Sequence, residues 1–576
     1  MKYELINKDI ENKSLLNVVI DNRNITKEQV ERLLNAKENE YRNPFEIENM
    51  DRAVECFRKI YKEDLVIGLL VDEDCDGYTS SALLYQWLRD DLKHPIDNIK
   101  VFHHLQAKAH GLNTDIFEEM LNSDVDLFII ADSSTNDKEQ QKQLSEKGKS
   151  VILLDHHICE DYEEISNVFI VNNQLGDKSN SHLSGVGVAG KFIEALGYDI
   201  SKYTDLIAVG QIADGMEQLD YQNRSYVNNG LSNIKNPLIQ AYFNKNRIAK
   251  PVLNDVSFSL ANFINAVVRV GTLEEKQLMF RALTGEQEEF DYTKKDGTVI
   301  KETLQERVVR ISSNCKSRQN NGVKKSVELC NKYITRNKIG GDKVIVIKNE
   351  NMIEPNTVGL VCMRLADNHR RPCIIVTEFE NGECIGSIRA IDGVENFKDT
   401  LEETNLCNWV SGHQSAAGIS INKENIIELR KALNNKFKNF KFSDGRIYKV
   451  DDIIEVNNLN KQDIVDIGKL KPLWCSTCRE SMFVIKNIKI DSVKIKMVGR
   501  LTLEFEVNGI KFRKNWCSKD FFEEITCKNI KHFGKSIPLK ITIIGKFSLD
   551  SKGNPFIDIV DANSVKNSEI IFSINN

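Results

Sequence analysis

Residues 65–81 read LVIGLLVDEDCDGYTSS. The apolar run from Leu65 to Val71 has the length and composition of a buried strand, and Asp72, Asp74 and Asp76 follow it at every second position. Three carboxylates within five residues repel one another and cost desolvation free energy wherever they are buried. The stretch therefore predicts either a cation among the carboxylates or a solvated loop with an Asx turn closed at Gly77. The theme of an apolar strand ending in acid recurs in VDLFIIADSSTND (125–137) and SVILLDHHICED (150–161). Helix-like stretches such as SSALLYQWLRDDL lie between these strands, so the alternation predicts βαβ units and a mainly parallel sheet. Ligand sites in such sheets gather at the carboxyl ends of the strands, where all three acidic clusters fall. A fourth cluster, DLIAVGQIADGMEQLD (205–220), ends an apolar helical run in Asp214.

The chain of 576 residues is too long for one core, and its 41% hydrophobic and 28% charged content is that of a globular protein. No apolar run reaches the roughly 18 residues of a membrane span, and MKYELINKDIENKS has no apolar signal core, so a cytoplasmic protein without membrane contact is expected. The 13 cysteines are scattered, which suits buried thiols in a reducing compartment. The one close pair, Cys475 and Cys478, lacks a second CxxC to complete a zinc site and reads more simply as a turn. Residues 445–576 hold 22 Lys+Arg against 16 Asp+Glu, a net +6, and the remainder carries −12. A basic module on an acidic body points to a polyanionic partner, although Lys-rich sheet edges also serve solubility.

Five segments follow from the pattern. Residues 1–64 read as helical, 65–245 as the parallel α/β domain, and 246–341 as a helical connector with few strand signals. The connector's basic helix is either a solvated face or, facing a cleft, a track for a phosphate backbone. Residues 342–444 restart an α/β pattern with strands KVIVIKN, PCIIVTEF and CIGSIRAI. From 445 to 576 the chain is β-rich, with a hairpin signal at Asn508-Gly509, and a small barrel is expected.

Asp74, Asp76, Asp132, His156 and Asp214 can converge on the strand ends of one sheet. Alternation along a strand would place Asp74 and Asp76 on the same side. A mixed carboxylate and imidazole set suits Mn²⁺ or Mg²⁺, and its size suits two ions, the arrangement that activates water and stabilises a leaving oxygen in phosphodiester hydrolysis.

These residues resemble the DHH phosphoesterase superfamily, in its RecJ-type single-strand-specific exonuclease branch. The resemblance is carried by DEDCDGYTSSALL, IIADSSTND, LLDHHI, LSGVGVAGKFIEAL, LIAVGQIADGMEQLDYQNR, INAVVR, GSIRAI and SGHQSAAG, and runs from about residue 44 to the end. It implies two α/β lobes (a parallel-sheet metal-binding lobe and a smaller substrate lobe), a helical connector and a C-terminal OB-like β-barrel. It implies Asp74, Asp76, Asp132, His156 and Asp214 as metal ligands, His157 at the scissile phosphate or a metal-bound water, Asp155 orienting the imidazoles, and Asp72 tuning the field. Ser387, Arg389, Gly412 and His413, with Asn265, Arg269 and Arg224, would hold substrate, and Ser415, Ala416, Ala417 and Gly418 would let backbone N–H groups approach a phosphate.

The implied activity is Mn²⁺- or Mg²⁺-dependent hydrolysis of single-stranded DNA from the 5′ end to mononucleotides, by a monomer that works beside a single-strand-binding protein or helicase. Phe505, Phe512, Trp516 and Phe547 are candidates for base stacking or for core. The chain departs from the family pattern at Ser411, where Gly is usual, and at His110, which replaces an aromatic. The family's nearby Arg is missing, with Lys108 its nearest substitute. Other readings are a phosphodiesterase for short oligonucleotides or cyclic dinucleotides, for which the β-rich domain is superfluous, and an inactive scaffold, for which eroded ligands would be expected. A pyrophosphatase fits poorly with the basic connector.

Overall fold

A computed structural model describes the chain except residues 9–12, 38–39, 106–109, 160, 380–381, 395, 444, 476–477, 500, 528–535 and 567–576. Two compact units result, one spanning Asn35–Phe442 and one combining Met1–Leu34 with Ser443–Asn576.

In the larger unit, strands β1 (Ile67–Val71), β2 (Ile99–His103), β3 (Leu127–Ala131), β4 (Ser150–Asp155) and β5 (Val168–Asn172) form a sheet in the order β2-β1-β3-β4-β5. Every neighbouring pair is parallel, as the alternation of strands and helices predicts. β1 and β3 are buried at every position, which explains why their sequences are unbroken apolar runs rather than alternating ones. Helices α1 (Cys75–Gln86), α2 (Gly185–Ala195) and α3 (Thr204–Ala213) pack on one another, and α4 (Tyr221–Ser232) packs on α3. Small residues make this packing possible: a Cβ on Gly210 of α3 would lie 2.3 Å from the Asp76 carboxylate of α1.

The connector contains α5 (Ala261–Val270) and the 33-residue α6 (Leu304–Arg336), which starts at a Thr303/Glu306 capping box. Between them lies a hairpin, Glu289–Thr293 with Val299–Thr303, that the reading of few strands in this segment misses. Its signal is the Asp296-Gly297 turn, with Gly297 at φ 85°, between strands that alternate in exposure. A second sheet follows, built from β6 (Ile345–Asn349), β7 (Cys373–Glu378), β8 (Glu383–Arg389), β9 (Cys407–His413) and β10 (Ala416–Asn422) in the order β9-β10-β8-β7-β6. β6 and β7 are parallel and the other pairs antiparallel. Helix α7 (Val358–His369) packs on β7 and β8.

The smaller unit corrects two expectations. Its seven-stranded sheet runs from Asp452–Glu455 at one edge to Lys496–Val498 at the other, and these edges do not pair among the described residues. The OB-like barrel is therefore an open sheet. Edge strands of four and three residues offer too few ladder groups to close around the 12-residue central strands Pro538–Leu549 and Pro555–Lys566. The expected hairpin is present, with Asn508 at φ 52° and Gly509 at φ 72°. The second correction concerns the start of the chain: Lys2–Leu5 is a strand, paired in parallel with Ile447–Val450, so 1–64 is not one helical segment. Phe505 stacks on Phe512 and Phe547 on Phe483, all buried, so these candidates for base stacking are core; Trp516 is 81% exposed. Cys475 and Cys478 close a turn through the Cys478 N–H on Cys475 Sγ at 3.1 Å, and all 13 cysteines are free thiols.

Candidate active site

β1 stops at Val71, so strand alternation does not align the carboxylates that follow it. A helix N-terminus does. Asp74 is the N-cap of α1 and accepts the Gly77 N–H at 2.9 Å, and Asp76 sits in the first turn. Free N–H groups and the helix dipole favour negative charge at both positions. Asp76 is buried and grips the start of α2: it accepts Ser184 Oγ at 3.0 Å, Gly185 N–H at 2.7 Å and Val186 N–H at 3.3 Å. Asp132 follows β3 in the left-handed region (φ 66°) and packs against Gly185, where a Cβ would lie 2.4 Å from its own. A helix start without side chain is thus required at Gly185. Asp214 caps the C-terminus of α3.

These groups converge. Asp72, Asp74 and Asp132 each present an oxygen within 4.8 Å of the others, and Asp132, His156 and His157 present ligand atoms within the same limit. His156 Nε2 lies 3.1 Å from Asp132 Oδ1 and 3.6 Å from Asp214 Oδ2. Burial and neighbouring carboxylates push Asp76 up to about 6 and Asp214 up to about 8, and raise Asp132 well above the usual carboxylate range. Burial, with His157 beside it, lowers His156 to about 4, which leaves a neutral imidazole. Its Nε2 is buried without a hydrogen-bond partner. Repelling carboxylates around an orphaned, neutral imidazole nitrogen fit a hard divalent cation.

Asp155, at the end of β4, is different. It accepts the N–H groups of Thr135 at 3.1 Å and His156 at 2.7 Å, and His157 Nδ1 at 2.8 Å. Burial alone would raise its pKa, but the His157 bond and the flanking imidazoles hold it well below the usual carboxylate range. The same bond outweighs burial at His157 and raises its pKa. Asp72 is buried, meets His110 Nδ1 at 2.9 Å and accepts Gly111 N–H at 3.1 Å. The His110 and His157 rings stand 4.9 Å apart.

The second sheet brings cations. Arg389 ends β8, and its Nη2 would lie 2.9 Å from a Cβ on Gly359 at the start of α7, with Ser387 Oγ at 3.4 Å from the same point. Arg269 on α5 feels Asp74 on one side and Arg389 on the other; burial, then Arg389, lowers its pKa. Gly412 has φ 126°, open only to glycine, and Ser411 is not among the residues with positive φ. The Ser at the family's Gly position is therefore tolerated.

The DHH family's N-terminal domain matches residues 66–211. The putative SPbeta prophage-derived single-strand DNA-specific exonuclease YorK of Bacillus subtilis (strain 168) is 30% identical over 597 aligned positions, covering 99% of this chain and all of that protein. The chain belongs to the RecJ-type branch of the DHH family. The single-stranded-DNA-specific exonuclease RecJ of Bacillus subtilis is 25% identical across 82% of this chain and 58% of its own length. The crystal structure of RecJ from Thermus thermophilus in complex with Mn²⁺ shares the fold, with a TM-score of 0.67 at 19% identity over 96% of this chain and 76% of that one.

In this DHH chain the structure gathers Asp72, Asp74, Asp76, Asp132, Asp155, His156, His157 and Asp214, with Arg269 between Asp74 and Arg389, and Ser387 close to Arg389. Asn265 is half-buried on the same helix as Arg269. Gly412 and His413 are exposed at the end of the β9–β10 hairpin. Arg224 does not fit the substrate role: it is 1% exposed and donates through Nε and Nη2 to the Gln218 carbonyl, so its charge organises the loop after Asp214. Lys108 lies outside the described residues. Sequence reasoning missed the buried ion pair of Glu73 with Lys276, which ties the Asp72–Asp76 loop to the connector. It also missed Ser184, which the small-residue helix start SGVG could have signalled.

Proposed function

We propose that this RecJ-type chain is a Mn²⁺- or Mg²⁺-dependent exonuclease that hydrolyses single-stranded DNA from its 5′ end and releases mononucleotides. The convergence of Asp74, Asp76, Asp132, His156 and Asp214, facing Arg269 and Arg389, carries the reading. Similarity along the whole chain to a protein described as a single-strand DNA-specific exonuclease supports it. The five residues would hold the cations, two in number on this reading. When bound, such ions lower the pKa of an attacking water and offset charge on the phosphate. Asp155 fixes the His157 ring through Nδ1 and favours its protonated form, and the imidazolium so held donates from Nε2 to a phosphate oxygen. Asp72 holds the His110–Gly111 turn against the cluster. Arg389 and Arg269 supply fixed positive charge for substrate phosphate, with Ser387, Asn265, Gly412 and His413 as further donors.

The two sheets of the larger unit act as a metal-holding lobe and a substrate lobe joined by the helical connector, and the basic smaller unit adds nucleic-acid affinity. We expect a cytoplasmic monomer that meets its substrate beside a single-strand-binding protein or helicase. Among the described residues no helix is long and apolar enough to cross a membrane.

The test uses end-labelled single-stranded oligonucleotide and blunt duplex with Mn²⁺, for the wild type and Asp76→Ala. The expected result is mononucleotide release from a 5′ label, a spared duplex and at least a ~100-fold loss in the variant. Turnover of dinucleotides alone would replace the reading with a small-substrate phosphodiesterase. DNA binding without cleavage would replace it with a scaffold.

A further inference from the structure

Asp155 is not the only carboxylate that holds an imidazole at the metal cluster. It accepts His157 Nδ1 at 2.8 Å, and Asp72 meets His110 Nδ1 at 2.9 Å. Both carboxylates are buried, Asp155 at the end of β4 and Asp72 just after β1, and His110 follows β2. Asp72 also accepts the Gly111 N–H at 3.1 Å, which fixes the backbone beside the ring. A carboxylate on Nδ1 sets the ring orientation and leaves Nε2 as the outward donor. The side chains of His110 and His157 are 51% and 44% exposed, so both rings reach solvent from buried anchors. Among the described residues no group bonds to His110 Nε2. The roles above give this second dyad no step.

His157 touches a ring on each side. Its centroid lies 4.6 Å from that of His156 and 4.9 Å from that of His110, the latter edge to face. His156 turns Nε2 to Asp132 at 3.1 Å and Asp214 at 3.6 Å, so it marks the Asp132–Asp214 side of the row. His110 flanks His157 on the side that His156 does not occupy. In-line displacement at phosphorus brings the attacking oxygen in on one side and expels the leaving oxygen on the other. A phosphate held at His157 and attacked from the Asp132–Asp214 side turns its leaving oxygen towards His110. A ring spacing of 4.9 Å lets both Nε2 donors reach oxygens of one tetrahedral phosphate. Burial alone would lower the His110 pKa, but Asp72, then Asp155 and Asp74, raise it to about 9, so the ring holds a proton at neutral pH. His104, 3.8 Å from Asp72 on the buried side, is lowered to about 3 by burial and by His110 and Lys276, and adds no charge. His157 is raised as well, and two like charges in ring contact favour an anion between them.

We propose that His110 is a second catalytic histidine, whose Nε2 protonates the oxygen leaving phosphorus while His157 donates to a non-bridging oxygen of the same phosphate. The proposal rests on the exonuclease reading for the bond that breaks. In release of a 5′-mononucleotide, the oxygen of water forms the new bond to phosphorus, and the bond from phosphorus to O3′ of the first nucleotide breaks. The departing electron pair takes the Nε2 proton of His110, and O3′ leaves as a hydroxyl. The water gives up one proton to solvent, from which the neutral imidazole is recharged, so the protons balance over a turnover. Asp72 acts through His110 and is a positioning residue.

The test compares the full-length wild type with His110→Gln and His110→Ala in single-turnover reactions with Mn²⁺. The substrates are a single-stranded oligonucleotide and a dinucleotide, each with an ordinary first linkage or with sulfur in place of the bridging O3′. A thiol is far more acidic than an alcohol, so sulfur leaves without a proton donor. Both variants should lose about 100-fold on the oxygen linkage and stay within about threefold of the wild type on the sulfur linkage. In metal-free protein with labelled histidine, the imidazole resonance that His110→Gln removes should titrate near pH 9. Equal losses on the two linkages would overturn the proposal in favour of a binding or structural role. An unchanged rate on the oxygen linkage would also overturn it, as would titration of that resonance below about pH 7. A wild type that cleaves only the dinucleotide would defeat the exonuclease reading, and the linkage comparison on the dinucleotide would still decide His110. A wild type that cleaves neither would defeat both.

Discussion

Asp76 and Asp155 show how two carboxylates at the ends of neighbouring structures acquire opposite characters. Asp155 is surrounded by donors and stays ionised far into acid. Asp76 is raised to about 6 and Asp214 to about 8, by burial first and then by neighbouring carboxylates. Both folded values lie above the unfolded value of about 3.9, so the folded state binds more protons between those limits. Their contribution to stability is therefore greatest near pH 4 and is lost as pH rises through 6 and 8. A divalent ion relieves the repulsion but competes with protons for the same oxygens. Mn²⁺ is expected to raise the melting temperature more at pH 8 than at pH 5, as read by thermal scans of one protein stock with and without the ion. Equal shifts at the two pH values would show that carboxylate repulsion is not what the ion relieves.

At the scale of elements, the site depends on how closely α1, α2 and α3 approach. Gly210 is a tight point: an added methyl would meet Asp76 Oδ1 at 2.3 Å and Thr79 Oγ1 at 2.6 Å. Gly210→Ala should move Asp76 off the α2 N-terminus and lower Mn²⁺-dependent cleavage at least ~tenfold, with a weaker Mn²⁺ response in the thermal scan. The connector is fastened to the same loop by Glu73 and Lys276, both with buried side chains. Lys276→Met would take the ammonium group away from the buried Glu73 carboxylate, at a cost of about 3–5 kcal/mol, whereas Glu73→Leu with Lys276→Met should recover most of that stability. Denaturant titration of the single and double variants checks this.

At the scale of the whole molecule, the chain ends are joined in one unit. Asp451 is fully buried and accepts from Arg23, from Asn22 Nδ2 at 2.9 Å and from the Met482 N–H at 3.0 Å. Arg23 also lies over the Trp474 ring. Arg23→Ala should destabilise the smaller unit by about 3 kcal/mol. The fluorescence of Trp474 should follow its unfolding at lower denaturant, while metal-dependent cleavage of a dinucleotide by the larger unit persists.

The parallel sheet, the acidic strand ends and the candidate ligands were legible in the sequence, because unbroken apolar runs followed by acid require a buried strand and a carboxylate at its end. The Asn508-Gly509 hairpin was legible for a similar reason, since two successive positive φ values demand those residues. What aligned Asp74 with Asp76 was not legible: the pattern of every second residue suggested a strand, and only the packing of α1 on α2 shows a helix N-terminus. Arg224 looked like a phosphate ligand because local sequence does not reveal whether a guanidinium faces a cleft or a carbonyl. The open sheet, the pairing of Lys2–Leu5 with Ile447–Val450 and the Glu73–Lys276 pair were decided by tertiary structure alone. Each joins residues far apart in the chain, and their pairing depends on which surfaces the fold brings together rather than on any local preference.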